Sequence, residues 1–307
     1  MLSLFKIDRR SEKSRILRNS RDTVHFLSEA IGERTIRNYS GLNRARNYIL
    51  ESFRSNGADP IEQTYTAEGR QVANIIAEIR GEEAPLEYIV IGAHYDTVEG
   101  SPGADDNATA VAALLELHRL FSSTPCRCSV RFVAFTLEEP PFFSGDLMGS
   151  VRYAKACHDS GDEIRLMICL EMLGYASRKH AQDFPHDEMR KRYPCNGDFL
   201  AVVSLPSMSE YVYKWKALYN SHAKRSIHEL IGPASIPGMA LSDHMSFIKN
   251  GYPAIMITDT GFYRNKFYHT ENDTFDTINF KFLTETIYNS YLTIQDLLDR
   301  EVCPGKD

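Results

Sequence analysis

This 307-residue chain has no long apolar run, no marked excess of charge and no cysteine framework. No stretch nears the ~20 consecutive apolar residues of a membrane helix, so no bilayer-spanning helix is expected. The apolar opening MLSLF is far shorter than the ~7–15 residue core of a secretory leader, and charges follow at once. A cytoplasmic location is therefore expected. The formal charge is -6, from 35 basic and 41 acidic side chains, and this lack of a basic surplus argues against a nucleic-acid partner. The six cysteines, Cys126, Cys128, Cys157, Cys169, Cys195 and Cys303, include no C-x-x-C pair. A chain this long needs no disulfide staples, so thiols are expected, with Cys169 a small buried apolar side chain. Repeats and low-complexity linkers are absent too, which predicts one domain over residues 1–307, its first 60 residues helical.

What is present is a globular balance of 43% hydrophobic and 25% charged residues. Apolar periodicity predicts helices over Val24–Ile31 and Ser40–Phe53, with Ser40 as cap and Gly57 as stop. Short β-branched runs then predict strands over Val72–Ile79, Leu86–Ala93, Ser129–Thr136, Ile164–Leu170, Phe199–Val203 and Pro253–Thr258. Helical stretches at Ala108–Phe121, Leu147–Cys157, Met208–Ser221 and Phe280–Leu298 alternate with them. Strands that are apolar throughout, separated by helices, predict an α/β chain: a three-layer α/β/α sandwich around a mostly parallel sheet. Residues 175–197 are polar, carry RKRYP and break this rhythm, as an inserted loop or flap would.

Ligands of open α/β sheets sit at the carboxyl ends of the strands. There the sequence places His94-Tyr95-Asp96, then Glu138-Glu139, then Glu171, with Gly103-Ala104-Asp105-Asp106-Asn107 at the mouth of a helix and Tyr268-His269-Thr270 in a late loop. Imidazole and carboxylate are the donors of catalytic zinc sites. Two histidines and three carboxylates exceed the needs of one open zinc site, but suit two ions joined by a bridging carboxylate, ~3.5–4 Å apart. Asp96, two residues past His94, is suited to accept the second imidazole N–H. Of the paired glutamates, one would bind metal and the other take a proton from water. That division of labour fits hydrolysis of an amide.

The motifs HYDT, GADDNATA, LEEPPFFSGDLMGS, LEMLGY, ALSDHMSF and YHTENDTFDT, in this order, resemble the M28 family of zinc peptidases over roughly residues 73–298. The likeness is nearest to compact single-domain bacterial members, and it implies a zinc-exopeptidase fold and two zinc ions per chain. It also implies that His94 and Glu171 bind the first ion, Glu139 and His269 the second, and that Asp106 bridges them. Glu138 would be the general base and Asp96 would orient His94. The implied activity is an aminopeptidase acting on small peptides through hydroxide held between the ions. Two departures stand out: Glu171 where many members have aspartate, and Ala110 where many have glycine.

Each of these residues has a plain structural alternative. His94 and His269 suit packed rings, the aspartates suit helix caps, and the glutamates suit a solvated turn. Their joint occurrence in one family's order outweighs these. His244, within Ser242-Asp243-His244, would line the pocket or hydrogen-bond an intermediate, the alternative being that Ser242 and Asp243 start a helix. Tyr263, Arg264 and Tyr268 would border the site, as oxyanion donors, as a clamp for a substrate carboxylate, or as rim. No G-x-S-x-G elbow supports a serine triad. Two rivals follow from the same resemblance: a single-zinc glutaminyl cyclase, and a binding module that has lost catalysis. Substrate side chain, oligomeric state and the work of residues 175–197 are not legible.

Overall fold

Ten strands form in chain order: β1 (Ile61–Ala67), β2 (Arg70–Ile79), β3 (Ala84–His94), β4 (Cys128–Phe135), β5 (Glu163–Glu171), β6 (Ser177–Ala181), β7 (Asn196–Gly197), β8 (Leu200–Ser204), β9 (Ile227–Ile231) and β10 (Ala254–Thr258). The central ones are apolar on both faces. In β3, Ile89, Ile91 and Ala93 join one core cluster and Tyr88 and Val90 another; in β5, Leu166, Ile168 and Leu170 oppose Met167 and Cys169. Strands of this kind need a helical layer on each side.

The computed structural model, which describes residues 8–300, has both layers. One face carries α1 (Arg9–His25), α2 (Tyr39–Ser55), α3 (Ala110–Phe121), α6 (Ser209–His222) and α8 (Phe280–Arg300). The other carries α4 (Gly149–Ser160) and α7 (His244–Lys249), whose Tyr153, Ala154 and Phe247 fill the smaller cluster. Among the described residues no helix is long and apolar enough to cross a membrane.

The eight-stranded sheet runs β1-β2-β4-β3-β5-β10-β8-β9. Its centre, β4-β3-β5-β10, is parallel, as is β8-β9; β1-β2, β2-β4 and β10-β8 are antiparallel, so the sheet is mixed. The β1-β2 pair is necessarily antiparallel, because only Glu68 and Gly69, both at positive φ, join its strands. The sequence reading missed β1 and β9. β1 is a polar edge strand and β9 a short one, so neither gives a clear apolar pattern. The first helix also begins far earlier than expected, at Arg9, because only Ile16, Ser20, Thr23 and Val24 of its 17 residues are buried. A π-helical turn, Phe26–Ile31, follows it. Asn38, not Ser40, caps α2 by accepting the Gly41 N–H at 3.3 Å. Residues 175–197 are structured: β6 pairs with β7, and α5 (Asp187–Arg192) lies between them. Cys126, Cys157, Cys169 and Cys195 are free thiols, but Cys128 is disulfide-bonded, against the expectation of thiols throughout.

Arg34, fully buried, fastens the amino-terminal helices to the loop before α3. Its guanidinium donates to the carbonyls of Leu27, Gly32, Tyr95, Pro102 and Gly103 at 2.7–3.0 Å. Replacing it with leucine strands five acceptors, each costly to leave unpaired in the interior. Chemical denaturation of Arg34→Leu should register a loss on the order of 3 kcal/mol, and a loss under about 1 kcal/mol would contradict this role.

Candidate metal centre

Parallel strands β3, β4 and β5 end on one edge of the sheet and deliver His94, the Glu138-Glu139 pair and Glu171 to a single hollow. The loop into α3 adds Asp106, and the loop after β10 adds His269. Three backbone positions beside these side chains are left-handed although none is glycine: Leu137 (φ 57°), Met172 (φ 46°) and His269 (φ 59°). Such conformations persist only where the surroundings enforce them, and they cluster at functional sites. Gly103 (φ 59°) is obligatory, since a Cβ there would lie 2.3 Å from the Asp106 carbonyl oxygen.

Asp106 is the hub. Its Oδ1 lies 3.3 Å from His94 Nε2, which is 3.4 Å from Glu171 Oε2. Its Oδ2 lies 3.2 Å from His269 Nε2, which is 3.2 Å from Glu139 Oε2. The side chains thus form two groups of three donors, each taking one oxygen of the same carboxylate. Donors ~2.0–2.1 Å from a tetrahedral zinc stand ~3.3 Å from one another, and each imidazole nitrogen lies at about that spacing from its two carboxylate oxygens. Across the two groups, His94, Asp106 and Glu139 form a compact buried cluster of metal-ligating type. Asp106 Oδ1 and His269 Nε2 have no hydrogen-bond partner, as expected of atoms reserved for a cation.

Electrostatics agree with this fit. Burial, helped by Asp106, pushes the Glu139 carboxyl up to about 8. Burial also raises Glu138 well above an ordinary glutamate, against the pull of His94. Burial would lower both imidazoles, but Asp106 and Glu139 drive His269 up to about 10, and Glu171 and Glu138 hold His94 well above its usual range. Two imidazoles pushed toward the charged form by the carboxylates around them mark a site that attracts positive charge.

Around this centre the side chains are locked. The Asp96 carboxylate accepts the N–H of Glu138 and of Glu139, both at 3.1 Å. It stands 3.7 Å from His94 Nδ1, whose nearer neighbour is the Asp96 main-chain oxygen at 3.3 Å. Asp96 therefore fixes the glutamate turn more tightly than it fixes the imidazole. Ser242 donates to Glu171 Oε2 at 2.6 Å. Asp273 accepts from the N–H groups of Asp105 and Asp106 at 3.0–3.2 Å. Asp105 accepts from Gly174 N–H and from the Asn265 amide. Sequence reasoning gave no role to Asp273, although it stands four residues past His269 in YHTEND, and it saw Ser242 only as a helix start.

The remaining expected residues divide. Tyr268 stacks on His269, ring centroids 3.7 Å apart, and lines the hollow beside Glu171. Tyr263 borders that hollow but donates its hydroxyl to the Pro237 carbonyl. Arg264 turns inward, donating Nε–H to Gln182 and lying 4.7 Å over the Phe199 ring. His244 is fully buried with Nε2 against the Met239 carbonyl, and burial lowers it to about 4. Neither Arg264 nor His244 joins the donor cluster.

The family model of Peptidase family M28 matches residues 74–293. The uncharacterized protein YfbL of Escherichia coli is 40% identical over 274 residues, which cover 86% of this chain and 83% of that protein. The probable aminopeptidase YDR415C of Saccharomyces cerevisiae is 26% identical over 69% of this chain, which spans only 54% of that longer protein. Among solved structures, the zinc aminopeptidase BSAP of Bacillus subtilis shares the fold. Its TM-score is 0.73 at 16% identity, over 94% of this chain and 96% of that one. The matched span runs from β2 into α8 and includes every clustered donor, so the chain belongs to peptidase family M28.

Proposed function

We propose that the chain is a two-zinc aminopeptidase that releases amino-terminal residues from small peptides. The observation that carries this reading is the paired donor arrangement, His94 between Asp106 and Glu171 and His269 between Asp106 and Glu139, each imidazole nitrogen 3.2–3.4 Å from its two carboxylates. Bound zinc would supply Lewis acidity toward the scissile carbonyl and acidify a water to a pKa of ~7.

The chain's own residues do the rest. Glu138 reaches the same hollow without an imidazole within hydrogen-bond distance, its Oε2 standing 3.9 Å from His94 Nε2. It takes the proton of the attacking water and hands it to the departing amine nitrogen. Burial keeps the Tyr268 phenol protonated, so its O–H is available to a developing oxyanion. With Arg264 turned inward, the cation that the sequence offered for a substrate carboxylate is missing from the hollow. The carboxylates gathered in the hollow instead suit a free α-ammonium group. Met172, Val203, Leu241, Met256 and Phe262 line the pocket beside Glu171, which favours an apolar first side chain.

Metal analysis combined with a screen of aminoacyl amides and dipeptides, with and without a chelator, tests this. Two zinc ions per chain and chelator-sensitive release of apolar residues are expected. One zinc with cyclisation of amino-terminal glutamine would replace the reading with a cyclase, and no zinc uptake would leave a binding module.

A further inference from the structure

Residues 182–193 do more than cover the sheet edge. Main chain and side chains tie them to the loop that carries His269: Asp183 N–H donates to the Tyr263 carbonyl at 2.8 Å, and the Gln182 amide donates to Thr260 Oγ1 at 2.9 Å. At the other end Arg192 pairs with Glu229 at 2.6 Å, and the Tyr193 hydroxyl donates to the Glu229 carbonyl at 2.8 Å. Held this way, Phe184, Met189 and Tyr193 close over Phe199 and His228 and wall a second chamber. Its rings interlock: Phe184 stacks on Tyr193 at 6.2 Å, while His228 meets Phe199 edge-on at 5.1 Å.

This chamber adjoins the pocket beside Glu171. Ala201, Leu230, Thr260 and Tyr263 line both, and Tyr263 is pinned between them by its hydroxyl on Pro237 and its carbonyl on Asp183. Ala201, whose side chain is a single methyl group, is one of the residues at the join. The polar groups of the outer chamber are already engaged, Tyr193 with Glu229 and Thr260 with Gln182. Burial and Lys216 keep His228 neutral. A space whose polar groups are satisfied and whose walls are rings offers dispersion and stacking, and nothing for a charge.

We propose that the inserted segment extends the side-chain pocket into a two-chamber apolar trench, so that the site selects a residue with an elongated aromatic side chain over a compact aliphatic one. This rests on the aminopeptidase reading for the direction of entry, from the donor cluster past Glu171 and Tyr268 toward Tyr263. The ring next to the backbone occupies the inner chamber, and the distal ring passes Ala201 to reach Phe184, Met189 and Tyr193.

Two variants narrow the trench from different elements: Ala201→Leu at the join and Met189→Trp within the inserted segment. Two readouts on the zinc-loaded protein are compared with wild type. One is kcat/KM for 4-phenylphenylalanine amide relative to leucine amide; the other is the ratio of Kd values for the two free amino acids, by calorimetry. Wild type should favour the biaryl compound in both. Each variant should lower that preference about tenfold or more, within the 10–200-fold range over which pocket volume discriminates. Equal preference in wild type, or a ratio that neither variant moves, overturns the trench. Binding that follows the trench without amide cleavage sinks the peptidase reading and leaves the trench standing.

Discussion

Glu138→Gln is expected to lower kcat by about 10²–10⁴-fold, the contribution of a positioned general base, with the zinc content of the same sample unchanged. The two effects separate because adjacent glutamates are turned to different partners. Glu139 reaches His269 at 3.2 Å, whereas Glu138 comes no nearer than 3.9 Å to His94 Nε2. Their divergence is enforced from below, where Asp96 accepts both amide N–H groups and the left-handed Leu137 turns the chain. Glutamine preserves size, burial and the Asp96 contacts, so the turn and the metal donors stay in place; only the basic oxygen is lost. Steady-state kinetics and metal analysis on one preparation decide the matter. A variant within tenfold of wild type would remove Glu138 from the proton transfer, and one that loses zinc would make it a ligand.

The sequence exposed the site more fully than it exposed the scaffold. His94, Glu138-Glu139 and Glu171 follow strands whose apolar runs are unmistakable, and the rule that parallel strands present their carboxyl ends to ligands brings them together. Asp106 and His269 needed motif order, because nothing local in GADDNATA or YHTEND says that two loops more than 160 residues apart meet. The supports were less legible. Arg34, Asp273 and Ser242 act through hydrogen bonds to backbone or to the Glu171 carboxylate, and those depend on tertiary approach that periodicity does not encode. Arg264 misled for a physical reason: an arginine in the loop that carries His269 suggests a substrate clamp, yet here its guanidinium lies on the Phe199 ring and holds Gln182, at the start of the 182–193 segment. That segment itself looked like loop because its strands are short and its helix has six residues with none buried, so it carries no apolar period.

Asp106→Ala should empty both halves of the centre together, taking zinc from about two per chain to near none and activity with it. The cause is the sharing of one carboxylate. Each of its oxygens faces a different imidazole, at 3.3 Å and 3.2 Å, and His269 and His94 hold its pKa far below that of an ordinary aspartate in spite of burial. Without it each half keeps one histidine and one glutamate, too few donors for a zinc site that is also to leave a position open. Loss of metal would then be local rather than a consequence of unfolding. Asp273 holds this loop through the main-chain N–H groups of residues 105 and 106, which alanine retains; what alanine gives up is the attraction of His94 and His269 for the ionised aspartate, a contribution to stability that is present at neutral pH. A thermal melt of the metal-free proteins should therefore show a lower midpoint for the variant with the cooperative transition kept. Asp106→Asn, which keeps one acceptor oxygen, should retain zinc in one half only. Two ions still bound in the alanine variant would show that the aspartate does not bridge, and loss of the cooperative transition would show that it holds the fold instead.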